Sequence, residues 1–273
     1  MRSKLLYKNP KTVLNKGTGY LSGYSHSLNP YVGCAFGCSY CYVRQMPVAT
    51  FRKEPWGTWV DIKKGAAALL QKELRRAKSK GKATIFMSSS TDPYQPVERK
   101  EAITRSLLEV MVRDQPDFLF VQTRSPLVRR DIDLFLQLQG KIRVSMTIET
   151  DREAIRKHFT PYAPSIRERL KTLQLLKEAG VPTQVTIAPL LPSSEEFPDV
   201  LARVVNRVCV DDYFMGDGSG GKRTERLGIA ASYQQLDLEE WYSPSAYRIV
   251  YERLKKVFPE EQILLNQEGF LPS

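Results

Sequence analysis

From residue 83 onward the sequence alternates between short apolar runs and longer stretches whose apolar residues recur every three or four positions. The runs 83–87, 117–123, 142–148, 183–190 and 208–214 read as buried strands, and the stretches 97–113, 127–138, 165–179 and 195–206 between them read as helices. Gly140 and Gly180 stand where helices end. A sixth strand is expected over 26–33, followed by a helix from Thr58 that carries Val60, Ala67, Leu70 and Leu74 on one face. Strands that alternate regularly with helices pair in parallel, because only a crossover returns the chain to the same end of a sheet. The pattern therefore predicts an α/β architecture, closed as a doubly wound sheet or as a barrel. At 273 residues and 42% hydrophobic content there is material for a full core.

Between the first strand and the first helix runs Asn29-Pro30-Tyr31-Val32-Gly33-Cys34-Ala35-Phe36-Gly37-Cys38-Ser39-Tyr40-Cys41-Tyr42. Three of the four cysteines fall within eight residues there, spaced C-x3-C-x2-C. Gly37 and the small residues around it let the backbone curl, so the three sulfurs are expected to converge on one point as metal ligands. A structural zinc would need a fourth ligand, for which His26 is the nearest candidate. A disulfide is disfavoured by the short spacing. Iron–sulfur clusters usually take four cysteines, so three would leave one iron open to a small molecule. Cys209, in the middle of an apolar strand, reads as a core residue, and His158 as a packing or surface residue.

The spacing, the aromatic Tyr40 before the last cysteine, and the flanking Asn-Pro-Tyr-x-Gly-Cys and Cys-Tyr resemble the radical S-adenosylmethionine (SAM) superfamily, specifically its spore photoproduct lyase-like branch. The resemblance implies a partial (β/α)6 TIM-type barrel over 26–214, with the cysteine loop after its first strand. The remainder would be a basic arm over 1–25 and a C-terminal helical extension over 215–273, packed on the same domain and carrying a last helix over 243–258. It implies a [4Fe-4S] cluster on Cys34, Cys38 and Cys41, with SAM chelated at the open iron. An external electron donor of flavodoxin or ferredoxin type then drives reductive cleavage of SAM to a 5'-deoxyadenosyl radical. Carried over residue by residue, the resemblance places Thr91, Asp92, Arg124, Ser145 and Ala188 against SAM and Tyr40 beside its adenine. Tyr42 matches a family tyrosine able to relay a hydrogen atom. One departure is chemical: the family's Cys-Thr-Ser-Asp run is here Ser89-Ser90-Thr91-Asp92, so Ser89 stands where a hydrogen-donating thiol is expected.

Charge is distributed unevenly. Residues 1–180 carry a net +16 and residues 181–273 a net −5, for +11 overall. A basic surface of this size attracts anionic partners at long range, and a nucleic-acid substrate is the simplest. The alternative of another class is a zinc-stabilised nucleic-acid-binding protein without catalysis. The run from Gly216 through Asp217 to Lys222 nearly spells a phosphate-binding loop, but Arg223 occupies the place of the magnesium-binding Ser or Thr. A mobile basic loop over the barrel mouth is expected there instead. With no apolar run of eighteen residues and no apolar segment behind the basic N-terminus, neither a membrane span nor a signal peptide is expected, and the cytoplasm is the expected compartment.

Overall fold

Alternate residues of the central strands face two different environments, and this alternation builds the molecule. In the computed structural model, which describes residues 3–216 and 218–272, the strands are β1 (Lys4–Lys8), β2 (Leu14–Lys16), β3 (His26–Leu28), β4 (Tyr31–Val32), β5 (Trp59–Lys63), β6 (Thr84–Met87), β7 (Phe118–Thr123), β8 (Ile142–Thr147), β9 (Thr183–Ile187), β10 (Val208–Val210) and β11 (Ile263–Leu265). One sheet runs β11-β10-β9-β8-β7-β6-β3-β2, parallel throughout except for β2, which pairs antiparallel with β3. Six of these strands, β3 and β6 to β10, are the expected ones. They alternate with helices as a partial (β/α)6 barrel.

One residue set of these strands, among them Ile85, Val121, Val144, Val185 and Val208, packs outward against Leu70 and Leu74, Leu107 and Met111, and Leu173 and Leu176 of the surrounding helices. The opposite set points into the barrel. Register places Ser27 beside Phe86, Phe86 beside Phe120, Gln122 beside Ser145, and Thr147 beside Thr186. Phe86, Phe118 and Phe120 form a plug with Tyr24, Cys209 and Phe270, and the polar residues lie beyond it toward the carboxyl ends of the strands. Cys209 is thus a fully buried core residue.

The arm does more than wrap the domain. Lys4–Lys8 pairs in parallel with Trp59–Lys63, which in turn pairs with Tyr31–Val32 in a second, three-stranded sheet. The helix expected from Thr58 is therefore a strand as far as Lys63. Tyr31, Val60 and Ile62 bury together as a separate small core, and the helix begins at Ala66 after Gly65 turns the chain at φ 69°. Strand 26–33 is split between the two sheets at Asn29-Pro30, where proline withdraws an N–H from the ladder. The stretch 97–113 breaks at Ala102, φ 50°, into Glu98–Glu101 and Ile103–Arg113.

Three residues too short to announce themselves, Ile263–Leu265, add β11 beyond β10, and the last helix is Tyr247–Leu254. Between the sheet's two edges the barrel is open, and Tyr20 of the arm meets the C-terminal segment after β11 across that seam. Gln267 Nε2 donates to the Tyr20 carbonyl at 2.7 Å, and the Tyr20 and Phe270 rings lie 5.7 Å apart. Gly269 lies against Cys209 so closely that a Cβ there would come within 2.2 Å of the sulfur. Met1, Arg2, Ser273 and the Asp217 of the glycine-rich run lie outside the described residues. Among the described residues no helix is long and apolar enough to cross a membrane.

Candidate active site

The cysteine loop is held by its neighbours before any ligand arrives. Gly33 takes φ 85° with the Trp59 ring 2.5 Å from where a Cβ would sit, so no side chain fits there. Its carbonyl accepts from the Thr91 hydroxyl and from Gln95 Nε2 at 3.2 Å, while Gln95 Oε1 accepts the Ala35 N–H at 2.9 Å. Further along, the Ser39 carbonyl accepts from Arg44, and its N–H donates to the Phe159 carbonyl at 3.0 Å. The loop thus arrives shaped by β6, by the start of the next helix and by the segment after β8.

Cys34, Cys38 and Cys41 are all free thiols bordering one cavity of about 660 Å³ at the carboxyl ends of the barrel strands. That volume lies within the range of small-molecule sites. The three thiols lie close enough to act on one another electrostatically. Among the described residues no three His, Cys, Asp or Glu side chains are gathered so as to hold a single metal ion. A tetrahedral zinc needs four donors about 2.0–2.3 Å from one centre, whereas a cluster takes its cysteines on different irons. His26 does not join them: it sits in β3 with Nδ1 against Ser25 Oγ at 2.8 Å. Burial pushes all three thiols up, Cys41 to about 12. Three sulfur donors, Cys38 buried and Cys34 and Cys41 partly so, that ionise on meeting a metal suit an iron–sulfur cluster.

Opposite the loop lies a buried charge network. Glu149 is 1% exposed; its Oε1 accepts from Tyr40 and from Arg124 Nε, each at 2.8 Å, and its Oε2 from Arg169 Nη1 at 2.7 Å. Arg124 Nη2 reaches the Ala188 carbonyl at 3.2 Å. Burial pushes the Glu149 carboxyl up, but the charges of Arg169 and Arg124 and the hydrogen bonds from Arg124 and Tyr40 outweigh it and hold it at about 2. Because this value lies below that of the unfolded chain, the stabilisation is complete above about pH 4.5 and is lost as pH falls through 2. Glu149→Ala, which strands the buried Arg169 guanidinium and deprives the partly buried Arg124 of its partner, should cost about 3–5 kcal/mol at neutral pH. Urea unfolding checks this, and a stability difference from wild type that failed to shrink as pH fell toward 2 would refute it.

Asp92 ties strand ends together. Its Oδ1 accepts from Thr123 Oγ1 at 2.8 Å and Tyr94 N at 2.9 Å, its Oδ2 from Arg124 N at 2.7 Å, and burial pushes its carboxyl up. Tyr42 donates to the Ser89 carbonyl, and Ser89 Oγ accepts from Asn29 Nδ2 at 3.3 Å. Tyr40, Tyr42, Thr91, Asp92, Arg124 and Ala188 therefore all line the cavity with the three cysteines. Ser145 lies behind the wall, fully buried, its hydroxyl 2.6 Å from that of Thr186, which does line the cavity. Gln95 and Arg169 were not anticipated. Arg169 had left a signal, because it falls on the buried stripe of Ile166–Glu178 with Ile166, Leu173 and Leu176. Gly216, Gly218, Arg223 and Thr224 border the cavity, but the basic part of this run, Lys222–Arg226, is a short helix rather than the loop expected.

Known proteins resemble this chain in sequence or in fold. An uncharacterised protein of Methanocaldococcus jannaschii is 34% identical over 172 residues, and the chain spans 62% of its length and 63% of its own. An uncharacterised protein of Acidianus two-tailed virus is 28% identical over 278 residues, which is 97% of this chain and 85% of that one. Among solved structures, a cysteine-to-serine mutant of spore photoproduct lyase superposes with a TM-score of 0.67 at 16% identity, over 96% of this chain and 81% of that one. Another mutant of that enzyme, with bound AdoMet and dinucleoside spore photoproduct, gives 0.65 at 17% identity over the same shares. The sequence profile of the Radical SAM superfamily matches residues 28–204, from the end of β3 to just before β10, with the whole cysteine loop inside it. A partial barrel whose three loop cysteines open on the cavity at its strand ends thus belongs to the radical SAM superfamily, whose cofactors are a [4Fe-4S] cluster and SAM.

Proposed function

We propose that the chain reductively cleaves SAM and uses the resulting 5'-deoxyadenosyl radical to abstract hydrogen from an organic substrate, a nucleic acid in the first instance. The observation that carries this reading is that one cavity collects the three loop cysteines and the Tyr40, Arg124 and Ala188 groups. Cys34, Cys38 and Cys41 would hold the cluster, which when bound supplies the electron and the open iron for SAM. The protein's own part is to bind, orient and exclude water. Glu149 fixes the Arg124 side chain through Nε, leaving Nη1 for an anionic group of the ligand. Asp92 and Thr91 brace the cysteine loop against β7, and Ser145 acts through the Thr186 hydroxyl.

Nucleic acid as substrate is supported by the +16 carried on residues 1–180 and by the exposed Lys16 and the partly buried Arg223 at the cavity. The dinucleoside held by a protein of like fold points the same way. The electron would come from an external donor of flavodoxin or ferredoxin type.

Anaerobic purification should give a brown protein containing iron and sulfide, whose broad visible absorbance bleaches with dithionite, and which forms 5'-deoxyadenosine from SAM. A colourless, zinc-loaded protein would overturn the reading. Arg124→Ala should weaken SAM binding about ten- to a hundredfold, the loss of a charge-assisted hydrogen bond, with iron content unchanged. An unaltered SAM titration would remove Arg124 from the site.

A further inference from the structure

The cavity extends past the groups assigned to SAM to the seam where Tyr20 meets Phe270. There it is walled by Tyr20, Phe86 and Phe270, and by Asp211 and Asp212 just beyond β10. Asp212 is 7% exposed, and its two oxygens have different fates. Oδ1 accepts the N–H groups of Phe214 at 2.8 Å and Met215 at 2.7 Å, which locks the carboxyl plane. Oδ2 is buried and has no partner. Among the described residues the other cavity-lining side-chain atoms in that condition are Ser88 Oγ, a hydroxyl that can donate or accept, and Gln122 Oε1, an acceptor. A buried acceptor left without a donor is costly, and a ligand N–H would recover that cost. Tyr20, by contrast, already donates to Asp211 Oδ2 at 3.4 Å.

We infer that this end of the cavity is a nucleobase pocket that selects a base bearing an exocyclic amine, with Asp212 Oδ2 accepting the amine N–H. The aromatic walls offer apolar surface to a flat ring, and the basic mouth, with Lys16 exposed beside it, suits the attached phosphate. A carboxylate accepts well from the 4-amino group of cytosine. Uracil presents a carbonyl at that position, and its single N–H lies between two oxygens that repel a carboxylate. The pocket deepens the nucleic-acid reading above and rests on it.

The probes are oligodeoxycytidylate and oligodeoxyuridylate of equal length, titrated by fluorescence anisotropy into cluster-reconstituted protein with SAM. Wild type should prefer the cytosine strand about tenfold. Asp212→Asn should reverse that preference: the two backbone N–H groups hold the side-chain carbonyl at the Oδ1 position, so the amide NH2 takes the place of Oδ2 and donates to the uracil carbonyl. Equal binding of the two strands by wild type, no binding of either, or the same loss for both strands in the variant would overturn the pocket. The wild-type comparison needs no variant to fold. Competition by deoxycytidine monophosphate as strong as by the strand also supports the pocket and identifies its ligand as a free nucleotide. Loss of SAM binding and 5'-deoxyadenosine formation in wild type would overturn the enzyme reading together with this one; intact SAM cleavage without base preference would overturn this one alone.

Discussion

Cys38→Ala is expected to leave a folded protein that retains almost no iron after anaerobic reconstitution and forms no 5'-deoxyadenosine. Cys38 is 6% exposed and stands between Cys34 and Cys41 on a loop already fixed by Thr91, Gln95 and Phe159. The loop's shape does not depend on the Cys38 thiol, so the fold should survive its removal. The cluster should not survive, because two cysteines cannot replace three and no acidic or histidine side chain among the described residues gathers with them as a substitute. Cys34→Ala and Cys41→Ala should behave alike. Cys209→Ala, in the barrel plug with its sulfur toward the Asn266 carbonyl, should leave iron and SAM cleavage intact. Full iron and full 5'-deoxyadenosine output in Cys38→Ala would sink the cluster assignment.

The barrel was legible because burial on both sides of its strands leaves a long apolar signature and its helices are amphipathic. What escaped was short or was set by distant partners. Trp59–Lys63 reads as the opening of a helix because Val60 falls on the apolar phase of Ala67, Leu70 and Leu74. It becomes a strand because the arm's Lys4–Lys8 and the loop's Tyr31–Val32 pair on either side of it, contacts that span many residues of sequence. In the site, the cysteine spacing was plain, but the ties that shape the loop were not. A loop's course depends on what ties it, here Gln95 and Thr91. Ser145 was correctly placed on an inward-facing strand. Whether its hydroxyl reaches the cavity was decided by Thr186 across the ladder. Asp212 could not be singled out, since only the structure distinguishes its engaged oxygen from its orphan.

The other large effect concerns what this protein should fail to do. Ser89 borders the cavity, its hydroxyl reached by Asn29 and its carbonyl by Tyr42. By the sequence resemblance it stands where the spore photoproduct lyase-like pattern would carry a cysteine whose thiol returns a hydrogen atom to the product radical. An alcohol O–H is roughly 15–20 kcal/mol stronger than a thiol S–H, and a barrier raised by that much slows the transfer by about ten orders of magnitude or more. Tyr42 stays beside Ser89, and its phenol is the remaining side chain on this edge that could relay a hydrogen atom. Wild-type protein is therefore expected to cleave SAM yet convert a spore-photoproduct dinucleotide to thymines poorly, with misdirected products. Ser89→Cys should raise clean conversion at least tenfold, because a sulfur at this position keeps the Asn29 contact and supplies the weak bond. Clean multiple-turnover repair by the wild-type protein, followed by chromatography of the thymine product, would show that the hydroxyl is no obstacle and that the hydrogen atom comes from elsewhere in the cavity.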